Sequence, residues 1–307
     1  MSLSEELRGE LAAIAPRTDC DRLAELSGLF HAAGSVHLRG RGEVAVHLDV
    51  AESAVARRAF SLLRHFGVAS EIRTYRRRAF DRATRYQLHV AGDDAHALQV
   101  LHEAGVLGRG LAPLAHPPHR VVGRSCCRRA YLRGALLGGG SLSGPRSLHL
   151  EIRSAEAEGA AFVAAVAARE GARLAVRDRS GHAAAYAKGR EAVADLLAAA
   201  GAGDSLLRLE ERAVMAATRE RANRLANADH ANLVRASRAA HAQLQAVERL
   251  RRRGELERLP AHLQEIAELR TRHPTFSLRE LAARCRPPAS KASAQRRLQK
   301  LQQLADA

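Results

Sequence analysis

The chain of 307 residues contains no tryptophan, and aromatic side chains make up only 3% of it. Single-strand binders lay aromatic rings under successive bases, so among nucleic acids this composition favours duplex DNA over single-stranded RNA. Cysteine is scarce too: Cys20, Cys126, Cys127 and Cys285 form no C-x-x-C pair. The adjacent thiols at 126 and 127 are poorly placed to chelate one zinc ion. The reading here is of reduced, buried or incidental thiols, with no metal and no cofactor. The longest apolar run, residues 160–168, falls far short of the ~18 residues that a membrane span needs. The first ten residues, MSLSEELRGE, carry three glutamates, which argues against a secretory leader. Neither a spanning helix nor a secretory signal is therefore expected, and no membrane partner.

Only three lysines occur, Lys188, Lys291 and Lys300, yet the chain holds 49 Lys+Arg against 33 Asp+Glu, a formal net charge of +16. Such an excess favours a polyanionic partner. A bias toward arginine explains the rarity of lysine but not where the charge sits. Residues 212–307 hold 20 Lys+Arg and 9 Asp+Glu, whereas residues 1–211 hold 29 and 24. A basic terminal region joined to a larger, nearly balanced one suggests a DNA-reading module carried by something else. With 46% hydrophobic residues the length suffices for two or three modest domains.

An internal repeat runs through the first two-thirds. RLAELSGLFHAAGS, from Arg22, aligns with RAYLRGALLGGGS, from Arg129, when Gly28 is set on Gly134 and Gly34 on Gly140, an offset of 106 residues. Alternating runs (SVHLR, EVAVHLDV) follow the first motif, then a helical stretch with Val55, Ala59, Leu62, Leu63 and Phe66 at helical spacing, stopped by Gly67. Strand-like EIRTY and RYQLHVAG and a helix over residues 93–106 complete the copy. The second copy repeats the order through SLHLEI, a helix ending at Gly171, RLAVRD, AAYAK and a helix over residues 190–200. Each copy thus reads α-β-β-α-β-β-α, with HPPHR, residues 116–120, between them.

The first glycine of each motif, Gly28 or Gly134, would let two helices meet backbone to backbone, and the second, Gly34 or Gly140, would free the helix end to turn. This arrangement resembles the LAGLIDADG homing endonuclease fold, in which two such helices form a seam and two antiparallel sheets straddle DNA. In that family an aspartate at the eighth motif position holds catalytic metal. The corresponding residues here are Ala33 and Gly139. Neither can ligate, so the resemblance implies a scaffold without nuclease activity. His31 is an unpromising substitute because its counterpart is Leu137. GGGS, residues 138–141, is not a phosphate loop, since it follows a helix and no Lys-Ser/Thr comes after it.

Residues 211–250 contain neither proline nor glycine and carry Leu225, Leu233, Ala236, Ala240, Leu244 and Val247 on what reads as one helical face, with a break possible in the asparagine-rich part. Asn223, Asn227 and Asn232, at steps of four and five, are expected to lie near one another, either contacting DNA or forming a polar seam. After Gly254, three helices are expected. The first spans residues 261–271 and buries Leu263, Ile266, Ala267 and Leu269; the second is capped by Ser277 and Glu280; the third runs from Lys291 under a Ser290 cap. Ala294, Leu298, Leu301 and Ala305 form the inward face of the third, leaving Ser293, Arg296, Arg297 and Lys300 pointing away. An exposed cationic helix behind a short capped one is what a helix-turn-helix places in the major groove. The expected DNA-binding set is Ser277, Arg279, Ser290, Lys291, Ser293, Gln295, Arg296, Arg297 and Lys300.

CCRRAYLRGALLGGGSLS, ANRLANADHANLVRA and LPAHLQEIAELRTRHPTFSLRELAARCRPPASKASAQRRLQKL, in that order, resemble the WhiA family across essentially the whole chain. The resemblance implies an α+β protein: a duplicated αββαββα LAGLIDADG-like domain (halves 1–115 and 121–208), a helical linker (209–254) and a helix-turn-helix domain (255–307) similar to sigma-factor region 4. It further implies a non-enzymatic, nucleoid-associated transcriptional regulator, tied to cell division, chromosome segregation and, in sporulating actinobacteria, sporulation. Its implied partners are double-stranded DNA and an iron–sulfur regulator of the WhiB type. The alternatives are an adaptor that binds protein through the repeat domain and a residual metal-dependent endonuclease.

Overall fold

A computed structural model describes residues 2–38, 44–76, 83–144 and 147–307. The chain divides into two compact units, Met1–Ala216 and Ala217–Ala307.

In the first unit the repeat is realised element by element. Helix α2 (Asp19–Ala33) leads into β1 (Gly34–Leu38), β2 (Val44–Val50), α3 (Ser53–His65), β3 (Ser70–Arg76), β4 (Thr84–Val90) and α4 (Ala95–Glu103). The second copy runs through α5 (Ser125–Gly139), β5 (Gly140–Ser143), β6 (His149–Ser154), α6 (Ala157–Ala168), β7 (Ala175–Arg179), β8 (His182–Lys188) and α7 (Arg190–Ala200). Each copy makes an antiparallel four-stranded sheet, ordered β1-β2-β4-β3 and β5-β6-β8-β7. In the first, Val46 faces Val90 and Leu48 faces Leu88; in the second, Leu150 faces Ala187. Their buried sides and the helices share one apolar core that includes Leu26, Leu29, Leu132 and Leu136.

Helices α2 and α5 meet at the glycines. A Cβ on Gly28 would lie 2.2 Å from the Tyr131 carbonyl oxygen, and one on Gly134 would lie 2.0 Å from that of Glu25. Both distances are far inside van der Waals contact, so the backbones approach as closely as they do only because no side chain stands there. Gly34 and Gly140 sit instead at the helix-to-strand turns, where a Cβ would meet the carbonyls of Phe30 and Leu136.

A further helix, α1 (Leu3–Ala13), precedes the repeat and is not among the elements that the sequence patterns predict. Ser2 and Glu5 close a capping box at its start, Leu7 and Leu11 are buried, and the Ser4 hydroxyl exchanges hydrogen bonds with the Leu142 backbone. Arg8 joins Glu52 and the Gly140 carbonyl, so α1 ties the first copy to the second.

Helix α8 (Gly203–Arg252) is continuous through the asparagine-rich stretch, without the break the sequence allowed. The unfavourable propensity of asparagine amounts to tenths of a kcal/mol per residue, roughly 0.7 at most, too little to interrupt a helix of 50 residues. In the second unit Ala246, Val247 and Leu250 of α8 pack with α9 (Ala261–Arg272), α10 (Leu278–Arg284) and α11 (Lys291–Asp306) around Leu263, Ile266, Ala267, Leu281, Leu298 and Leu301.

Candidate nucleic-acid interface

The Ser290 hydroxyl accepts the Ser293 N–H at 3.1 Å and starts α11, whose first turn carries no carboxylate. Ala294, Leu298, Leu301 and Ala305 are buried. Lys291, Gln295, Arg296, Gln299, Lys300 and Gln303 are exposed. This face combines cations, which hold phosphates and guanine edges, with amides, which fit adenine edges. Gln299 and Gln303 are absent from the set read from sequence, although the i, i+4 ladder from Gln295 marks them.

Arg297 requires a correction. It stands three residues after Ala294 and four before Leu301, on the flank of the buried stripe rather than opposite it. Its guanidinium lies 3.6 Å from the Glu265 carboxylate of α9, which also accepts the Arg286 N–H at 2.5 Å. Arg297 therefore ties α11 to α9 and to the turn before α11, and Ser293 is likewise half-buried.

Other charges hold the bundle in shape. Buried Arg270 donates to the carbonyls of Phe276, at 2.7 Å, and Pro274, fixing the turn between α9 and α10. Arg284 stacks over the Phe276 ring at 4.4 Å. Arg249 pairs with Asp306, the one carboxylate of α11. Ser277 accepts the Glu280 N–H while the Glu280 carboxylate accepts the Ser277 N–H, and the backbone N–H and hydroxyl of Ser277 hold that carboxyl below its ordinary range. Arg279, Lys291, Arg296 and Lys300 make no ion pair among the described residues.

The asparagines of α8 also differ from expectation. All three are exposed, but at 100° per residue Asn223 and Asn227 share a side while Asn232, nine positions on, lies opposite Asn223. They form no single polar face, and Asn232 is engaged by Arg235 at 2.5 Å.

At the carboxyl ends of α2 and α5, Ala33 and Gly139 supply no ligating atom, and the backbone closes the space: a Cβ on Gly139 would lie 2.8 Å from the Arg153 carbonyl oxygen. His31 bonds through Nδ1 to the Ser27 carbonyl at 2.8 Å, and burial pushes its pKa down to about 4. The folded state thus binds this proton less well than the unfolded chain, whose imidazole titrates near 6.5. The contribution of His31 to stability is complete above pH 6.5 and is lost as the pH falls from there toward about 4. Urea unfolding between those pH values should show a shallower acid-side decline for His31→Leu than for the unmodified chain; equal slopes would place the titration elsewhere.

Comparison with known proteins is decisive at this point. The WhiA N-terminal LAGLIDADG-like domain matches residues 19–107, the WhiA LAGLIDADG-like domain residues 128–219, and the WhiA C-terminal helix-turn-helix domain residues 222–305. The chain is 35% identical over 313 residues to "Probable cell division protein WhiA" of Heliobacterium modesticaldum, covering 100% of this chain and 97% of that one. The chain belongs to the WhiA family. The WhiA protein of Symbiobacterium thermophilum, described in the same words, is also 35% identical, with 100% and 98% covered. The crystal structure of full-length WhiA from Thermatoga maritima shares the fold at 22% identity, with a TM-score of 0.58 and coverage of 100% and 98%. The WhiA helix-turn-helix match begins at residue 222 and so takes in the second half of α8 as well as the three helices after it.

Proposed function

We propose that this WhiA-family chain is a regulator of cell division that binds duplex DNA through α11, with Lys291, Gln295, Arg296, Gln299 and Lys300 as its contacts and Arg279 of α10 beside them, and that its duplicated domain is a catalytically inert scaffold. The observation that carries the proposal is the exposed face of α11: cations and amides side by side, the neighbouring arginines already spent on the bundle, and the helix's one carboxylate paired with Arg249. Ser277, Ser290 and Ser293 serve mainly as caps and flanking donors, and Arg297 as a brace. The relatives' description supports the cell-division role. The family resemblance extends the proposal to chromosome segregation, to sporulation genes in sporulating actinobacteria with a WhiB-type iron–sulfur partner, and to a place on the nucleoid in the cytoplasm. No helix among the described residues is long and apolar enough to cross a membrane.

The inert reading rests on Ala33 and Gly139 and on the Arg153 backbone packed against Gly139. Incubated with genomic duplex fragments and Mg²⁺, the chain is expected to retard DNA without cutting it. Ala33→Asp combined with Gly139→Asp is expected to remain unable to cut, because the Arg153 carbonyl occupies the space that a second carboxylate needs. Mg²⁺-dependent cleavage by the unmodified chain would replace this proposal with a nuclease.

A further inference from the structure

The offset that aligns the glycines also sets Cys20 on Cys126 and Asp21 on Cys127, all in the first turns of α2 and α5. The seam brings those turns together. The Cys20, Cys126 and Cys127 sulfurs and an Asp21 carboxylate oxygen all lie within 4.8 Å of one another. The Cys126 and Cys127 sulfurs are 3.8 Å apart, and the Cys20 sulfur is 3.9 Å from Asp21 Oδ1. Four donors about 2.3 Å from a tetrahedral zinc ion stand roughly 3.8 Å from one another. Adjacent cysteines that are poor chelators alone thus become half of a four-donor set when the other helix supplies the rest. This juxtaposition sets the cluster apart from the incidental thiols that the sequence spacing suggests.

We propose that Cys20, Asp21, Cys126 and Cys127 bind a thiophilic divalent cation, zinc by chemistry, which staples the amino-terminal ends of α2 and α5 across the pseudo-twofold seam. Three sulfur donors select a soft or borderline ion over magnesium or calcium. The spacing fits one ion and is too tight for a cluster whose cysteines reside on separate irons. Cys127 and Asp21 are buried and Cys20 partly so, which excludes competing water, while exposed Cys126 leaves a way in. Helix amino-termini favour thiolate over thiol. A dication held among the three sulfurs and the carboxylate displaces one proton from each cysteine as it binds. The site lies at the end of the helix pair away from Ala33 and Gly139, about 20 Å along 15-residue helices. It is thus separate from the ligand positions of the nuclease fold, and it does not depend on the DNA-binding proposal.

The test is an anaerobic titration of the reduced full-length chain with Co²⁺, a coloured stand-in for zinc. Expected are one equivalent taken up, a thiolate-to-cobalt charge-transfer band in the near ultraviolet with the visible absorption of a tetrahedral ion, loss of both on adding Zn²⁺, and a Tm raised by zinc. Cys20→Ser and Cys127→Ser should each weaken uptake at least about 100-fold, and Asp21→Asn, which keeps the side-chain size and so the fold, about 10-fold. No charge-transfer band in the reduced chain overturns the proposal. So does undiminished uptake by Cys20→Ser and Asp21→Asn. A disulfide between Cys20 and either partner in the isolated, thiol-blocked protein, with no cobalt bound after reduction, would make the cluster a redox pair instead.

Discussion

Glu25→Ala should lower the folding stability of the amino-terminal unit by about 3–5 kcal/mol. The Glu25 side chain, on α2, is fully buried and accepts from two guanidinium groups: Arg58 Nε of α3 at 2.6 Å and Arg133 Nε of α5 at 2.7 Å. Each arginine side chain is only 10% exposed. Removing the carboxylate strands two cations in a low-dielectric interior, and neither can shed its proton to escape the penalty. Domains are stable by roughly 5–15 kcal/mol in all, so such a loss brings the unit close to unfolding. Denaturant titration followed by circular dichroism reads the effect. Glu25→Leu combined with Arg58→Met and Arg133→Met should recover most of the lost stability, because an apolar core of similar volume dispenses with the desolvation of all three charges. A single Glu25→Ala variant as stable as the parent would show that the triad does not hold the copies together.

Arg296→Ala with Lys300→Ala should leave the fold intact and abolish most specific DNA affinity. Both side chains are exposed and make no ion pair among the described residues, so nothing in the bundle depends on them. A guanidinium or ammonium on guanine contributes about 1–3 kcal/mol of discrimination, so two together predict a fall on the order of 100-fold or more in specific binding. Arg297→Ala is the instructive contrast. It frees Glu265 and loosens the α9–α11 brace, so its loss should register first in thermal stability.

Local signals in the amino-acid sequence carry much of this fold. Period-two and period-3.6 patterns locate the repeat because both copies keep the same order, and the last helix of the second copy occupies the expected residues, Arg190–Ala200. Caps name the starts of α10 and α11, since Ser277 with Glu280 is a local signal. Pairings between residues far apart in sequence are not legible. Glu25 and Arg133 are separated by 108 positions, and nothing local to either announces the other. The thiol cluster has a usable sign, the same offset of 106 that sets Gly28 on Gly134, but the spacing of the cysteines along the chain conceals it. Arg297 and Asn232 depart from expectation by phase: charge or polarity is a poor guide to exposure or alignment where counting at 100° per residue decides it. Helix α1 escapes the pattern because it precedes the repeat and has no partner copy to reveal it.

The salt dependence of duplex binding tests the central claim most directly, because it counts the phosphates neutralised by particular side chains. Fluorescence anisotropy of a labelled genomic fragment, titrated with the full chain over a range of salt concentrations, gives the slope of log affinity against log salt. Each cation that reaches a phosphate contributes roughly 0.9 to that slope. If α11 lies on DNA, the Arg296→Ala, Lys300→Ala chain will bind more weakly, with a slope shallower by about 0.9 for each of the two that meets a phosphate rather than a guanine edge. An unaltered slope and affinity, with the second unit still folded, would contradict the account and move the DNA-binding surface elsewhere on the chain.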